Sequence, residues 1–300
     1  MSAVAGGRAP DGATRVAAVI GDPVRHSLSP VLHNAAFAAT GLDWVYVAFE
    51  VAAGGAAGAL DAVRVLGIEG LSVTMPHKAD VARGVDRCSP VAARLGAVNC
   101  VVRRGGELLG ENTDGAGFVA SLREDAGFEP AGQRCLVLGA GGAARAVVLA
   151  LAEAGAREVA VVNRTAARAE SAAALAGDVG VVRGPEAVEE AALIVNATPL
   201  GMAGSGAEGV NGPVEAHRIG PGQTVADLVY HPLRTGLLEL AEARGAAQVN
   251  GLGMLIHQAG LAFELWTGEH PPIEAMRVAV MGRLGYDSGS PRSTNDGAAR

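Results

Sequence analysis

An apolar strand, Leu136-Val137-Leu138, leads without a break into Gly139-Ala140-Gly141-Gly142-Ala143-Ala144 and then into an alanine-rich run with helical spacing. Glycine permits the sharp turn and the close backbone approach that a pyrophosphate requires. The helix that follows directs free N–H groups and its positive end at the anion. The same letters also occur in ordinary strand-to-helix turns, but strand, loop and helix in this order supply the context the mechanism needs. Gly139, Ala140, Gly141, Gly142 and Ala143 therefore read as a dinucleotide cradle, which commits the surrounding chain to alternating strands and helices. Strands are expected at 134–138, 158–163, 179–182, 193–197 and 224–228, with helices at 143–154 and 166–176. Together they make a doubly wound, Rossmann-like domain over 119–253.

The end of the second strand of that domain separates the two nicotinamide cofactors, because NAD sites usually place Asp or Glu there to bind the ribose 2′-hydroxyl. Here the strand ends Val162-Asn163-Arg164-Thr165, with Arg168 one helical turn on and no carboxylate at that point. Two guanidinium groups and a hydroxyl suit the 2′-phosphate of NADP through charge-assisted contacts. Taken singly, Arg164 and Arg168 are ordinary surface arginines; their place after a glycine loop favours the cofactor. NADP is the expected cofactor, with Asn163, Arg164, Thr165 and Arg168 at its phosphate.

At 300 residues, 49% of them hydrophobic, the chain can bury two cores. Its first part also alternates, with strands expected at 16–20, 45–49, 70–73 and 98–102 and helices at 29–40, 56–66 and 90–95. The fold class is thus α/β with two domains. The first is an α/β substrate domain with a mainly parallel sheet over 15–118, completed by a C-terminal helix returning over 254–284. Residues 1–14 and 287–300, poor in patterned apolar residues, are expected to be disordered tails. A net charge of −7 without a Lys/Arg run argues against nucleic acid or acidic lipid as partners. No run of about 18 apolar residues spans a membrane, and residues 1–14 contain no apolar signal core. Cys88, Cys100 and Cys135 lack C-x-x-C spacing, so no disulfide framework or metal site is expected and a reducing cytoplasm fits. A small molecule is the expected partner.

Three polar clusters interrupt the strands of the first domain. Ser27-Leu28-Ser29 precedes a helix; one serine can cap it, but two hydroxyls at alternate positions can also bind a carboxylate or a polyol. Ser72-Val73-Thr74-Met75-Pro76-His77-Lys78 ends a strand, and Lys78 alone would be read as solvated. Asn99 and the segment Glu111-Asn112-Thr113-Asp114-Gly115 form the third; Asp114 alone would be read as a helix cap. Three such clusters facing a nucleotide-binding half make coincident capping the weaker explanation.

These segments resemble the successive motifs of the shikimate dehydrogenase family. Val19-Ile20-Gly21-Asp22-Pro23-Val24-x-His26-Ser27-x-Ser29-Pro30, Ser72 to Lys78, Gly96-Ala97-Val98-Asn99 and Asn112-Thr113-Asp114-Gly115 are followed by the glycine loop and Asn163-Arg164-Thr165. Asn196-Ala197-Thr198-Pro199-Leu200-Gly201-Met202, Asp227-Leu228-Val229-Tyr230 and Gly251-Leu252-Gly253-Met254-Leu255-x-x-Gln258 continue the order, so the resemblance covers about 16–284. It implies an NADP-dependent oxidoreductase that interconverts 3-dehydroshikimate and shikimate, on the cytoplasmic route to aromatic amino acids, as a monomer or homodimer.

By that resemblance, Lys78 and Asp114 are the catalytic pair. Ser27, Ser29, Thr74, Asn99, Tyr230 and Gln258 surround the hydroxylated ring and its carboxylate. Thr198, Leu228, Gly251 and Met254 join the cofactor site. Hydride arriving at a ketone carbon leaves an alkoxide, which a positioned ammonium stabilises and protonates. Two departures adjoin the implied pocket: Ser72 stands where many relatives have asparagine, and His77 where many have an aromatic residue. The rivals are a quinate/shikimate or aminoshikimate dehydrogenase, with the same pair and a different ring environment, a binding protein without turnover, and an NADP-binding methylene-tetrahydrofolate or glutamyl-tRNA type dehydrogenase on a related fold, which would explain the glycine loop but not Ser27 to Ser29.

Overall fold

The computed structural model describes residues 9–202 and 216–286. The first half contains β1 (Arg15–Gly21), α1 (Ser29–Thr40), β2 (Trp44–Glu50), α2 (Ala56–Leu66), β3 (Gly70–Val73), α3 (Lys78–Gly84), β4 (Arg87–Cys88), α4 (Pro90–Leu95), β5 (Cys100–Arg104), β6 (Glu107–Glu111) and α5 (Asp114–Ala126). The second contains β7 (Arg134–Leu138), α6 (Gly142–Glu153), β8 (Glu158–Val162), α7 (Ala166–Ala173), β9 (Gly180–Val182), β10 (Leu193–Asn196), β11 (Thr224–Asp227), α8 (Gly236–Ala243) and β12 (Ala247–Val249). Helices α9 (Gly251–Thr267) and α10 (Ile273–Leu284) complete the chain.

Two six-stranded sheets result, ordered β2-β1-β3-β5-β6-β4 and β12-β11-β10-β7-β8-β9. Every pairing in the second is parallel, and its chain order reverses between β7 and β10, which places the cradle at the switch point of a doubly wound sheet. The expected helix over 166–176 is shorter: α7 stops at Ala173 and the chain tightens into a 3₁₀ segment, Ala174–Val179.

The first sheet is parallel across β2-β1-β3 and at β4-β6, but β5 runs antiparallel to both β3 and β6. The strand expected over 98–102 begins instead at Cys100, leaving Val98 and Asn99 in the loop before it, and β6 is a strand the sequence pattern does not announce. This hairpin positions the site. Ser72 of β3 pairs with Cys100, and Cys100 pairs with Glu111 at the end of β6. The start of β5 and the end of β6 therefore lie at the same edge as the carboxyl ends of β1 and β3.

The expected domain boundaries both fall inside helices. Helix α5 starts on the first sheet and places Phe118, Val119 and Leu122 in the core of the second domain. Helix α9 returns, burying Leu252, Ile256, Ala259 and Phe263 with α1 and α10 against the first sheet. The two helices cross closely because Gly117 of α5 has no side chain: a Cβ there would lie 2.6 Å from the backbone nitrogen of Gln258. Near the end of α9, Trp266 covers the face of Gly70 and donates from its indole nitrogen to the carbonyl of Val101 at 3.0 Å.

Residues 1–8 and 287–300, and with them most of the expected tails, lie outside the described residues. Asp11 to Thr14 form a turn, and the Thr14 hydroxyl donates to Asp43 at 2.8 Å.

Candidate active site

The topology brings four chain segments to one edge of the first sheet: the loops after β1, β3 and β6, and the loop before β5. Lys78 opens α3 and Asp114 opens α5, and Lys78 Nζ donates to Asp114 Oδ2 at 2.6 Å. Both side chains are largely covered, so the pair is screened less than a surface ion pair. Asp114 Oδ1 accepts from Asn99 Nδ2 at 2.7 Å, which fixes the carboxylate plane from the other side. Asn99 is held in turn: its Nδ2 donates to the Thr113 hydroxyl at 3.0 Å, and its Oδ1 accepts from the Thr113 backbone at 2.8 Å. The Thr113 hydroxyl donates to the carbonyl of Gln258 at 3.0 Å, tying the site to α9.

The capping explanations for Ser29 and Asp114 do not hold. The residue preceding α1 is Leu28, and the one preceding α5 is Thr113; neither helix start has a side-chain cap. Ser27 Oγ accepts from the backbone of Ser29 at 3.3 Å. Thr74, directly after β3, packs its methyl group against Gly21 at the end of β1 and so joins the same edge. Tyr230, although it follows β11 of the second domain, packs against the core of the first, and burial pushes its phenol pKa up.

In the second domain Gly139 has a φ of +111° and lies so close to the next loop that a Cβ would meet the Ala197 carbonyl at 3.0 Å and the Thr198 methyl at 3.2 Å. The loop is thus a place for glycine only, and it brings Thr198 beside the cradle. At Gly141 and Gly142 a Cβ would meet nothing, so the start of α6 is open to a ligand. Arg164, Thr165 and Arg168 are exposed at the end of β8 and the start of α7. Neither guanidinium has a partner among the described residues. Thr165 precedes α7 without capping it through its hydroxyl, whereas Asn163 donates to the Thr165 carbonyl at 3.0 Å and shapes the turn. A glycine cradle at a helix start with two unpaired arginines one strand away fits a pyrophosphate and a 2′-phosphate.

The two halves meet here. Gly115, next to Asp114, would carry a Cβ only 2.6 Å from the carbonyl of Ala146 on α6, the helix that starts at the cradle. Gly251 lies against the carbonyl of Leu228, and both Leu228 and Met254 pack on the core of the second domain. Gln258 points its amide back to the carbonyl of Leu255 at 2.9 Å.

Sequence reasoning assigned no role to several residues that hold these loops. Asp227 is 1% exposed. Its carboxylate accepts from Asn196 at 2.9 Å, the Val229 backbone at 3.1 Å and Thr235 at 2.7 Å. Burial pushes its pKa up while those three bonds oppose the shift. Asn196 Oδ1 accepts from the Thr198 hydroxyl at 2.6 Å, so one buried network fixes both loops beside the cradle. The only signal for it was the repeated appearance of Asn, Asp and Thr at strand ends.

The departure at His77 does not reach the pocket. Its ring is fully buried and a ring nitrogen bonds the carbonyl of Val51 at 2.7 Å. His77→Phe is expected to leave kcat and the substrate KM within about twofold of wild type while costing about 1 kcal/mol of stability, the worth of one hydrogen bond. Steady-state kinetics and a denaturant melt check both halves of that expectation.

Residues 19–101 match the family model described as the shikimate dehydrogenase substrate binding domain, 123–199 the shikimate / quinate 5-dehydrogenase model and 251–281 the shikimate 5′-dehydrogenase C-terminal domain. The chain is 46% identical to the shikimate dehydrogenase (NADP(+)) of Moorella thermoacetica over 93% of its own length and 96% of that protein's. The crystal structure of shikimate 5-dehydrogenase from Thermus thermophilus in complex with NADP(H) and shikimate superposes with a TM-score of 0.83 at 40% identity, covering 90% of this chain and all of that one. Quinate dehydrogenase from Corynebacterium glutamicum in complex with NAD gives the same TM-score at 32% identity over 90% of this chain and 99% of its own. With identities of this size over nearly its whole length, the chain belongs to the shikimate dehydrogenase family.

Proposed function

We propose that this chain is an NADP-dependent shikimate dehydrogenase, reducing 3-dehydroshikimate to shikimate and running in reverse when shikimate and NADP are supplied. The observation that carries the reading is the Lys78–Asp114–Asn99 arrangement in the cleft, beside the helix that opens at the glycine cradle. When bound, the nicotinamide supplies or accepts the hydride. Lys78 places an ammonium at the oxygen that gains charge, stabilises it and gives up a proton. In oxidation its neutral amine takes the proton from the hydroxyl. Asp114 keeps Nζ in place and, with Asn99, fixes its direction. Ser27, Ser29, Thr74, Tyr230 and Gln258 orient the ring. Arg164 and Arg168 bind the 2′-phosphate, with Thr165 and Asn163 shaping the loop. Thr198, Leu228, Gly251 and Met254 border the nicotinamide.

The NADP reading also separates this chain from the NAD-bound quinate enzyme it resembles in fold, since no carboxylate stands after β8. Following absorbance at the nicotinamide band, shikimate and quinate are each offered with NADP and with NAD. Fast reduction of NADP by shikimate alone is the expected result. Preference for quinate or NAD overturns the pocket or phosphate assignment, and no turnover with any pair overturns the reading as an enzyme of this reaction.

A further inference from the structure

Asp227, the last residue of β11, is the only buried carboxylate of the second domain among the described residues. Its three partners, Asn196 Nδ2 at 2.9 Å, the Val229 N–H at 3.1 Å and the Thr235 hydroxyl at 2.7 Å, are all neutral. No cation pairs with it among the described residues. An amide or a hydroxyl can hold the same loops without burying a charge, and a buried charge with no cation to offset it opposes folding. Burial pushes the carboxyl pKa up, whereas the three donors favour the ionised form.

Strand pairing places this charge along the sheet. Leu138, Asn196 and Asp227 stand in one row at the carboxyl edge, just before the cradle, the Thr198 loop and the Leu228 loop. Two strand spacings, about 10 Å, separate Asp227 from the cradle strand. Arg164 and Arg168 lie on the other side of the cradle, after β8. A dinucleotide with its 2′-phosphate at those arginines and its pyrophosphate at Gly139 to Gly142 extends its nicotinamide half over β10 and β11. The domain thus presents cations to the half that is always anionic. Its lone buried anion lies under the half that is positively charged only when oxidised.

We infer that Asp227 is a counter-charge for the oxidised nicotinamide, favouring bound NADP over bound NADPH and assisting hydride transfer to the ketone, in which that positive charge develops. At 1% exposure it is placed to act through its field rather than by contact. Asn196 and Thr235 hold the carboxylate in position for this role. Two unit charges about 10 Å apart, at an effective dielectric constant of about 20, alter an equilibrium by about tenfold. The inference rests on the NADP reading given above.

The test is Asp227→Asn, which removes the charge and keeps an oxygen for Asn196 and the Val229 N–H. Calorimetric titration gives dissociation constants for NADP, for NADPH and for 2′-phospho-ADP-ribose, which has no nicotinamide. The ratio of the NADP constant to the NADPH constant is expected to rise about tenfold, while the constant for 2′-phospho-ADP-ribose stays within about twofold of wild type. Single-turnover reduction of 3-dehydroshikimate by bound NADPH is expected to slow about tenfold. Asp227→Ser, neutral and smaller, is measured beside it in case the amide disturbs the fold, and thermal melts follow both. An unchanged ratio or an unchanged rate in a variant that folds overturns the inference, because a purely structural anchor weakens both forms of the cofactor alike. Loss of the melting transition in both variants also overturns it, since the carboxylate is then an anchor the fold cannot replace. Failure of wild type to bind NADP or to oxidise shikimate overturns the functional reading as well.

Discussion

Replacing Lys78 by alanine lowers kcat by about 10²–10⁴, the range in which general acid/base assistance contributes, while the dissociation constant for NADP stays within about twofold. The asymmetry follows from position. Lys78 lies at the start of α3 on the first sheet, and its ammonium meets only Asp114 among the described residues. The groups proposed for the cofactor lie in the loops after β7, β8, β10 and β11, at the start of α6, on α7 and at the start of α9. A loss of about 10³ corresponds to about 4 kcal/mol of barrier. Asp114→Asn is expected to lose less, since an amide keeps a hydrogen-bonding oxygen near Nζ but removes the charge that holds the ammonium. Stopped-flow kinetics and fluorescence titration of bound dinucleotide measure the two quantities separately. A Lys78→Ala variant with near-normal kcat would remove the proposed proton donor, whatever the cofactor binding.

Much of this site was legible because its chemistry sits in contiguous segments. The glycine loop, the Val162-to-Thr165 strand end and the Pro-containing turn before Lys78 each combine a backbone requirement with a polar group, and local sequence carries both. What was not legible depends on pairing across the chain. Nothing in Glu107-Leu108-Leu109-Gly110-Glu111 says that it runs antiparallel to the strand before it, yet that hairpin returns Asn112, Thr113 and Asp114 to the edge where Lys78 stands. Thr113 is a case in point: its hydroxyl connects Asn99 to the carbonyl of Gln258, 145 residues further on. His77 shows the converse. Its place next to Lys78 suggested the pocket, but in a turn adjacent residues point apart, and the ring is directed at Val51.

Removing both arginines after β8, in an Arg164→Ala/Arg168→Ala variant, is expected to abolish most of the preference for NADP over NAD. Each charge-assisted contact to a phosphate is worth about 1.5–3 kcal/mol, with the lower end appropriate to exposed side chains. Two such contacts predict a loss of about 10²-fold in kcat/KM for NADP, about 2.7 kcal/mol. The value for NAD, which lacks the phosphate, should change by less than about threefold, since the cradle at Gly139 to Gly142 that binds the shared pyrophosphate is untouched. Because neither guanidinium has a partner among the described residues, their removal breaks no internal contact, and the melting temperature without cofactor should not move. Salt supplies an independent check: screening should weaken NADP binding in wild type more steeply than in the variant. Equal losses for both cofactors would mean that the arginines support the loop itself, and would transfer 2′-phosphate recognition to some other part of the surface.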